Sequence, residues 1–377
     1  MNRYKLKDIS MSKLEYGSGA AACEYDGKTR YVRITDIDNE GNLGPDVVSP
    51  NSVDDKYLLN EGDVLFARTG ATVGKTYLYR SSAGRCIYAG FLIRVVPNQE
   101  IIRSDYLYYF TKSLQYKEFV QSSMKVVAQP NINAKQYGDL EFNVPSLEEQ
   151  DSIIKRLNAI SSVMALRKTE LQRLDELIKA RFVELFGDIG AGVFNYQTYK
   201  LGDVAKVGSS HRVFTTEFVE SGIPFYRGTE IGELANGKKP SDPYYISKKH
   251  YEQLANDETK PLVGDLLMPS ICNKGQVWMV DTEEPFYYKD GRVLCISPDR
   301  EVFNSKFLQY FMREKTLVEY PKMGSGSTFA EFKIFLLKDM DVLIPPKEIQ
   351  EKFADFVKAT DKSKFQESIR FHACFPK

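Results

Sequence analysis

The chain repeats itself, and a repeat of this length confines the fold to two copies of one domain. Tyr4-Lys5-Leu6-Lys7-Asp8-Ile9 returns as Tyr199-Lys200-Leu201-Gly202-Asp203-Val204. The run from Tyr31 to Ile37 returns at Phe225 to Ile231, and Gly62-Asp63-Val64-Leu65 returns as Gly264-Asp265-Leu266-Leu267. Ser104–Phe110 matches Ser305–Phe311, and Val144-Pro145…Gln150 matches Ile344-Pro345…Gln350. These matches are collinear at a nearly constant offset. Each half therefore reads as one globular domain followed by one helix.

Within a half, the early part reads as short strands. Thr76–Tyr79 and Phe91–Val96 are rich in β-formers and bounded by Gly, Ser and Pro. The stretch Asp105–Gln121 is amphipathic at helical spacing and predicts one helix. A mixed α/β domain follows.

The helix after the first domain is the clearest element. Ser146 can cap it, with Glu149 completing a capping box. Ile153, Leu157, Ile160, Met164, Arg167, Leu171, Leu174, Ile178, Arg181 and Leu185 then alternate steps of four and three, a heptad seam broken by two arginines. Gly187 is placed to end it. Roughly 40 residues at ~1.5 Å rise make a rod of about 60 Å. Either this helix packs on its own domain or it pairs with the second helix, and its length favours pairing. The second helix starts at Pro346 with Ile349, Phe353, Phe356 and Val357, and its seam is expected to decay at Thr360 and Asp361. The predicted architecture is α+β: two tandem mixed α/β domains, residues 1–144 and 188–344, separated and joined by two long helices, 145–187 and 345–377, in an antiparallel coiled coil that would hold the domains at a fixed distance.

Bulk properties narrow the function. Lys+Arg and Asp+Glu are both 51, so a basic face for nucleic acid must be local, or partner subunits must supply charge. The five cysteines are scattered and odd in number, which fits reduced thiols and no zinc site. The first residues lack an apolar h-region and no long apolar run occurs, so neither a secretory signal nor a membrane span is expected.

The chain resembles the specificity subunits of type I restriction-modification systems. The resemblance rests on Gly62-Asp63-Val64-Leu65-Phe66-Ala67-Arg68-Thr69-Gly70, on Gln129-Pro130-Asn131-Ile132-Asn133, on Val144-Pro145-Ser146-Leu147-Glu148-Glu149-Gln150, on Ile344-Pro345-Pro346 with Gln350, and on Asp361-Lys362-Ser363-Lys364-Phe365. It spans nearly the whole chain, including the duplication. It implies two target-recognition domains, each reading half of a bipartite double-stranded DNA site, and two helices that bind methyltransferase subunits. It further implies no catalysis and no cofactor in this chain. S-adenosylmethionine, ATP and Mg2+ belong to the methyltransferase and the restriction/translocase partners, in the cytoplasm of a bacterium or archaeon. One departure stands out: the second helix is shorter than the first, and Gln366–Lys377 lacks a clean heptad.

Residues shared by both halves should be scaffold or phosphate contacts, and residues that differ are better base readers. Arg33 and Arg227 are equivalent, as are the turns holding Ser18 and Ser209, so phosphate or structural roles fit them. Half-specific candidates are Arg68, Thr69 and Lys75 in the first half and His211, Arg212, Asn273 and Lys274 in the second. Gln129, Asn131 and Asn133 either read adenine or serve turns and caps. Ser325 lies in a Gly/Ser loop that is either a DNA contact or a linker. The helix interface is expected to use Ile153, Leu157, Ile160, Met164, Leu171, Leu174, Ile178, Leu185, Phe353 and Val357.

Two competing functions fit parts of the sequence. An interaction scaffold without DNA reading explains the helices but not two elaborate domains. A nucleotide-binding enzyme would use Gly70–Thr76, but the Walker pattern needs Gly at Thr69, and a strand rather than a helix is expected after Lys75.

Overall fold

The computed structural model describes residues 2–124, 130–255, 260–323 and 330–374, with side chains of the last helix described to Lys364. The chain forms two compact units that meet in sequence between Arg167 and Lys168.

The duplication holds at the level of strand order. In the first unit four antiparallel strands lie in the order Glu15–Tyr16, Leu92–Val95, Val64–Ala67, Thr76–Leu78. The second unit repeats the order with Ala205–Gly208, Val293–Pro298, Leu266–Pro269, Trp278–Met279. Each unit also pairs an early strand with its last, Asn2–Lys5 with Glu141–Val144 and Thr198–Lys200 with Asp341–Leu343. Each adds a parallel pair, Arg30–Val32 with Cys86–Tyr88 and Ile223–Tyr226 with Tyr287–Tyr288.

The Gly-Asp-apolar-Leu repeat is explained by its turn and its burial. Gly62 and Gly264 sit at φ +89° and +88°, where an L side chain is strained. A Cβ on Gly62 would fall 2.6 Å from Ser104 Oγ. The buried aspartates close the turn: Asp63 accepts from the Asn60 N–H and Asp265 from the Leu262 N–H, each at 2.9 Å. The strand that follows has both faces covered. Val64 and Phe66 enter one core and Leu65 and Ala67 another, as the two-residue period of a strand requires. That burial explains a continuous apolar run where a half-exposed strand would alternate.

The single helix expected over Asp105–Gln121 is two, Ser104–Phe110 and Leu114–Met124. Thr111 makes the break: its buried hydroxyl bonds Thr76 Oγ1 at 2.7 Å and donates to the Tyr108 carbonyl at 2.6 Å. The second unit has one helix there, Ser305–Glu319.

The central helix runs from Leu147 to Phe186, 40 residues. Its capping box is formed: the Glu149 N–H donates to Ser146 Oγ at 3.3 Å, and the Ser146 N–H to Glu149 Oε2 at 3.0 Å. Gly187 ends it at φ +96°, and Asn195 Nδ2 donates to the Glu184 and Leu185 carbonyls. Gln150 is fully buried on its first turn. It donates to the carbonyls of Ile101 and Pro145, both at 2.9 Å, and accepts from the Arg103 N–H at 2.8 Å. Gln350 repeats this arrangement with Val302, Pro345 and the Asn304 N–H. The Pro…Gln motif is therefore a latch that ties each helix to the domain before it.

The C-terminal helix, Lys347–Cys374, has 28 residues. It runs antiparallel to the end of the central helix. The Phe353 ring lies 5.5 Å from Phe182 and 5.4 Å from Phe186, while Lys364 reaches back to Asp175. The apolar seam gives way to the polar residues Asp361 and Thr360, and the helix stays packed at Thr360. That residue is buried and donates its hydroxyl to the Phe356 carbonyl at 2.9 Å, so its polar atom is satisfied inside the helix. Among the described residues no helix is long and apolar enough to cross a membrane.

Candidate nucleic-acid interface

Strand Val64–Ala67 delivers Arg68 to the rim of the first unit. The Arg68 guanidinium lies over the Tyr16 ring, 4.5 Å from its centroid, and Nε donates to Asn131 Oδ1 at 3.4 Å. Thr69 pairs with Asn131 through an isolated antiparallel bridge. Arg68, Thr69 and Asn131 are thus brought together, with Asn131 exposed and Tyr16 41% exposed. No residue pattern in the sequence singles out Tyr16. Its only signal was position, one residue before the Gly17-Ser18 turn.

The glycine-rich loop is a turn between strands. Gly70–Thr72 forms one 3-10 turn and Thr76–Leu78 is a strand, so no helix N-terminus faces a phosphate. Lys75 Nζ donates to the Ile37 carbonyl at 3.0 Å. This half-buried lysine is engaged by the fold.

The residues shared by both units bond to groups of the fold. Arg33 Nε donates to Asp36 Oδ1 at 3.1 Å, and Asp36 also accepts from the Arg33 N–H at 2.9 Å. Arg227 Nε donates to Glu230 Oε2 at 3.0 Å, with the backbone bond at 2.7 Å. Each arginine neutralises a buried carboxylate three residues on, raising its own pKa further through that bond. Ser18 is buried and its Oγ accepts from the Ala20 N–H at 3.1 Å. Ser209 Oγ donates to the Val293 carbonyl and accepts from the Gly291 N–H, both at 2.8 Å. Ser18 closes a local turn, while Ser209 ties its turn to the distant segment Gly291–Val293. Asn133 caps the short helix Ala134–Gly138, accepting from the Gln136 N–H at 2.9 Å.

In the second unit His211, Arg212, Asn273 and Lys274 are exposed. The His211 N–H donates to Tyr287 Oη at 3.0 Å and Arg212 Nε to Asp290 Oδ2 at 3.1 Å. Asn273 and Lys274 sit on a separate loop, where the Lys274 N–H donates to Gln276 Oε1 at 3.0 Å. Gln129 and Ser325 lie outside the described residues.

On the central helix Ile153, Leu157, Ile160 and Leu174 are half-buried, and Ile178 is buried. Leu185 packs against the core that holds Ile178, Phe353 and Val357. Met164 and Leu171 are exposed. At Arg181, one of the two arginines that break the seam, the side chain pairs with Glu184 at 2.7 Å, while Phe182 and Phe186 fill the core. From Ile178 the helix keeps steps of four, to Phe182 and Phe186. The signal was in the sequence, but the strict heptad hid it.

Two copies of one α+β domain, each latched to a helix and each offering exposed polar side chains at a strand end, define a tandem recognition protein. The model of the type I restriction modification DNA specificity domain matches residues 2–176 and again 195–369. The chain belongs to the type I restriction-modification DNA specificity family. It is 25% identical over 331 residues to the type I restriction enzyme MjaVIII specificity subunit of Methanocaldococcus jannaschii, covering 81% of this chain and 74% of that one. Its fold is similar to that of the type I restriction-modification S subunit from M. genitalium (TM-score 0.55, 14% identity, 99% of this chain and 92% of that one). A second similar fold comes from work on complex assembly and conformational transition of the type I R-M system (TM-score 0.53, 19% identity, 99% and 95%).

Proposed function

We propose that the chain is the non-catalytic sequence-specificity subunit of a type I restriction-modification complex, each unit reading one half of a bipartite double-stranded DNA site. The observation that carries this is the repeated unit: one strand order, one buried Gln latch and one Gly-Asp strand, with different side chains at the strand end. The methyltransferase subunits dock on the helices. The central helix supports this by exposing Val163, Met164 and Leu166, apolar side chains that a solvent-facing helix surface does not favour. S-adenosylmethionine, ATP and Mg2+ act on the methyltransferase and restriction/translocase subunits, in a bacterial or archaeal cytoplasm. With zero formal net charge, the chain leaves part of the phosphate neutralisation to its partners.

The test is co-expression with the cognate methyltransferase subunit, followed by gel shift and methylome sequencing. A bipartite modified motif that vanishes when this chain is omitted supports the reading. A complex without sequence preference sinks it.

A further inference from the structure

The end of the Gly-Asp strand carries the same backbone frame in both units. In the first, the Arg68 N–H donates to the Phe91 carbonyl at 3.1 Å, and the Arg68 carbonyl accepts from the Ile132 N–H at 2.8 Å. In the second, the Ser270 N–H donates to the Arg292 carbonyl and the Ser270 carbonyl accepts from the Phe332 N–H, both at 2.8 Å. The flanking strand register agrees, with Ala67 opposite Leu92 and Pro269 opposite Val293. Ile132 and Phe332 are buried and anchor the third segment. The frame therefore makes Arg68 equivalent to Ser270, Phe91 to Arg292, and Asn131 to Glu331.

At all three positions the side chain differs while the backbone bonds persist. Scaffold positions in this protein behave in the opposite way. Arg33 and Arg227 keep both their residue type and their carboxylate partner. The first frame displays a stacked arginine, an amide and a phenylalanine that is 58% exposed. The second buries its serine at 1% exposure and displays an Arg292–Glu331 ion pair, with Lys333 Nζ also bonded to Glu331 at 2.6 Å. These residue types match base edges: arginine suits guanine, asparagine adenine, glutamate the cytosine amino group, and an apolar ring the thymine methyl. A rigid frame with exchangeable side chains is what reading two different sequences with one fold requires.

We propose that the equivalent positions of this frame, Arg68, Phe91 and Asn131 in the first unit and Arg292 and Glu331 around the buried Ser270 in the second, are the base-reading cassette of each unit. The proposal rests on the specificity-subunit reading above and adds which residues set each half of the site.

The experiment is methylome sequencing of a host expressing this chain with its methyltransferase subunit. One variant carries Arg68→Gln with Asn131→Asp, and the other Arg292→Gln with Glu331→Gln. Each should shift base preference about tenfold or more in one half of the motif only, and in opposite halves, since one bidentate contact discriminates by ~1–3 kcal/mol. Should either double variant melt early or fail to co-purify, Phe91→Leu and Arg292→Lys replace it; the latter keeps the charge and loses the bidentate fork. Folded variants that modify the wild-type motif unchanged, or one variant that alters both halves, overturn the cassette while leaving the specificity-subunit reading intact. A wild-type complex that modifies no motif overturns that reading and the cassette with it.

Discussion

Lys364 Nζ lies 2.6 Å from Asp175 Oδ1, joining residues 189 positions apart on two antiparallel helices. This contact fixes the direction of the pairing, but the apolar side chains beside it supply the energy. Phe353 is fully buried among Phe182, Phe186, Phe307 and Tyr310. Phe353→Ala should destabilise the second unit by about 3–5 kcal/mol. Asp175→Asn should change stability by under about 1 kcal/mol, because that carboxylate is largely exposed. Urea denaturation of the two variants checks the ranking.

The glutamine latches should each matter to stability. Gln150→Leu keeps the volume roughly but strands the Arg103 N–H and the Ile101 and Pro145 carbonyls. An unsatisfied buried group costs ~1–3 kcal/mol, so the melting temperature should fall, and Gln350→Leu should behave likewise in the second unit. A variant as stable as the parent would show that water satisfies these groups instead.

Arginines of the first unit should separate into two kinds. Arg33→Ala leaves the buried Asp36 carboxylate without its guanidinium and should cost about 1–3 kcal/mol of stability. Arg68→Ala removes a partly exposed side chain and should leave the melting temperature nearly unchanged. In complex with methyltransferase, it should weaken discrimination at the cognate site by about tenfold. Melting curves and gel shifts on the same preparations decide this.

Asp26 gives a pH signature. Its carboxylate accepts from the Thr29 and Lys28 N–H groups and from Ser49 Oγ, which lowers its pKa to about 2. A depressed folded-state pKa adds stability above the unfolded value near ~4, and that stability is lost as pH falls toward 2. Asp26→Asn should therefore melt below the parent at pH 7. The difference should shrink between pH 4 and pH 2, as followed by circular dichroism.

The isolated chain should not bind ATP. With a strand after the glycine-rich loop and Lys75 held by the Ile37 carbonyl, no phosphate cradle forms. Millimolar ATP with Mg2+ should leave the melting temperature of the purified chain unmoved, since any ligand selective for the native state raises it. A rise abolished by Lys75→Ala would reverse this conclusion.

Sequence alone determined the duplication, the two helices, the capping box at Ser146 and Glu149, and the stop at Gly187. These are local patterns, set by spacing, backbone conformation and side chains a few residues away. It also led to the family, through motifs whose physical basis is now visible: Gly-Asp closes a turn at positive φ, and Pro…Gln latches a helix. Only the tertiary structure decided which polar residues are free to meet a ligand. Arg33 and Arg68 look alike in sequence, yet one neutralises a buried carboxylate three residues away while the other stacks on Tyr16 at the rim. Phe182 displaced Arg181 from the seam because the packing surface offered by Phe307, Tyr310 and Phe353 is built from segments far along the chain. The equivalence of Phe91 with Arg292 and of Asn131 with Glu331 is likewise invisible to residue matching. It is carried by backbone hydrogen bonds between distant segments, which leave no mark on side-chain identity.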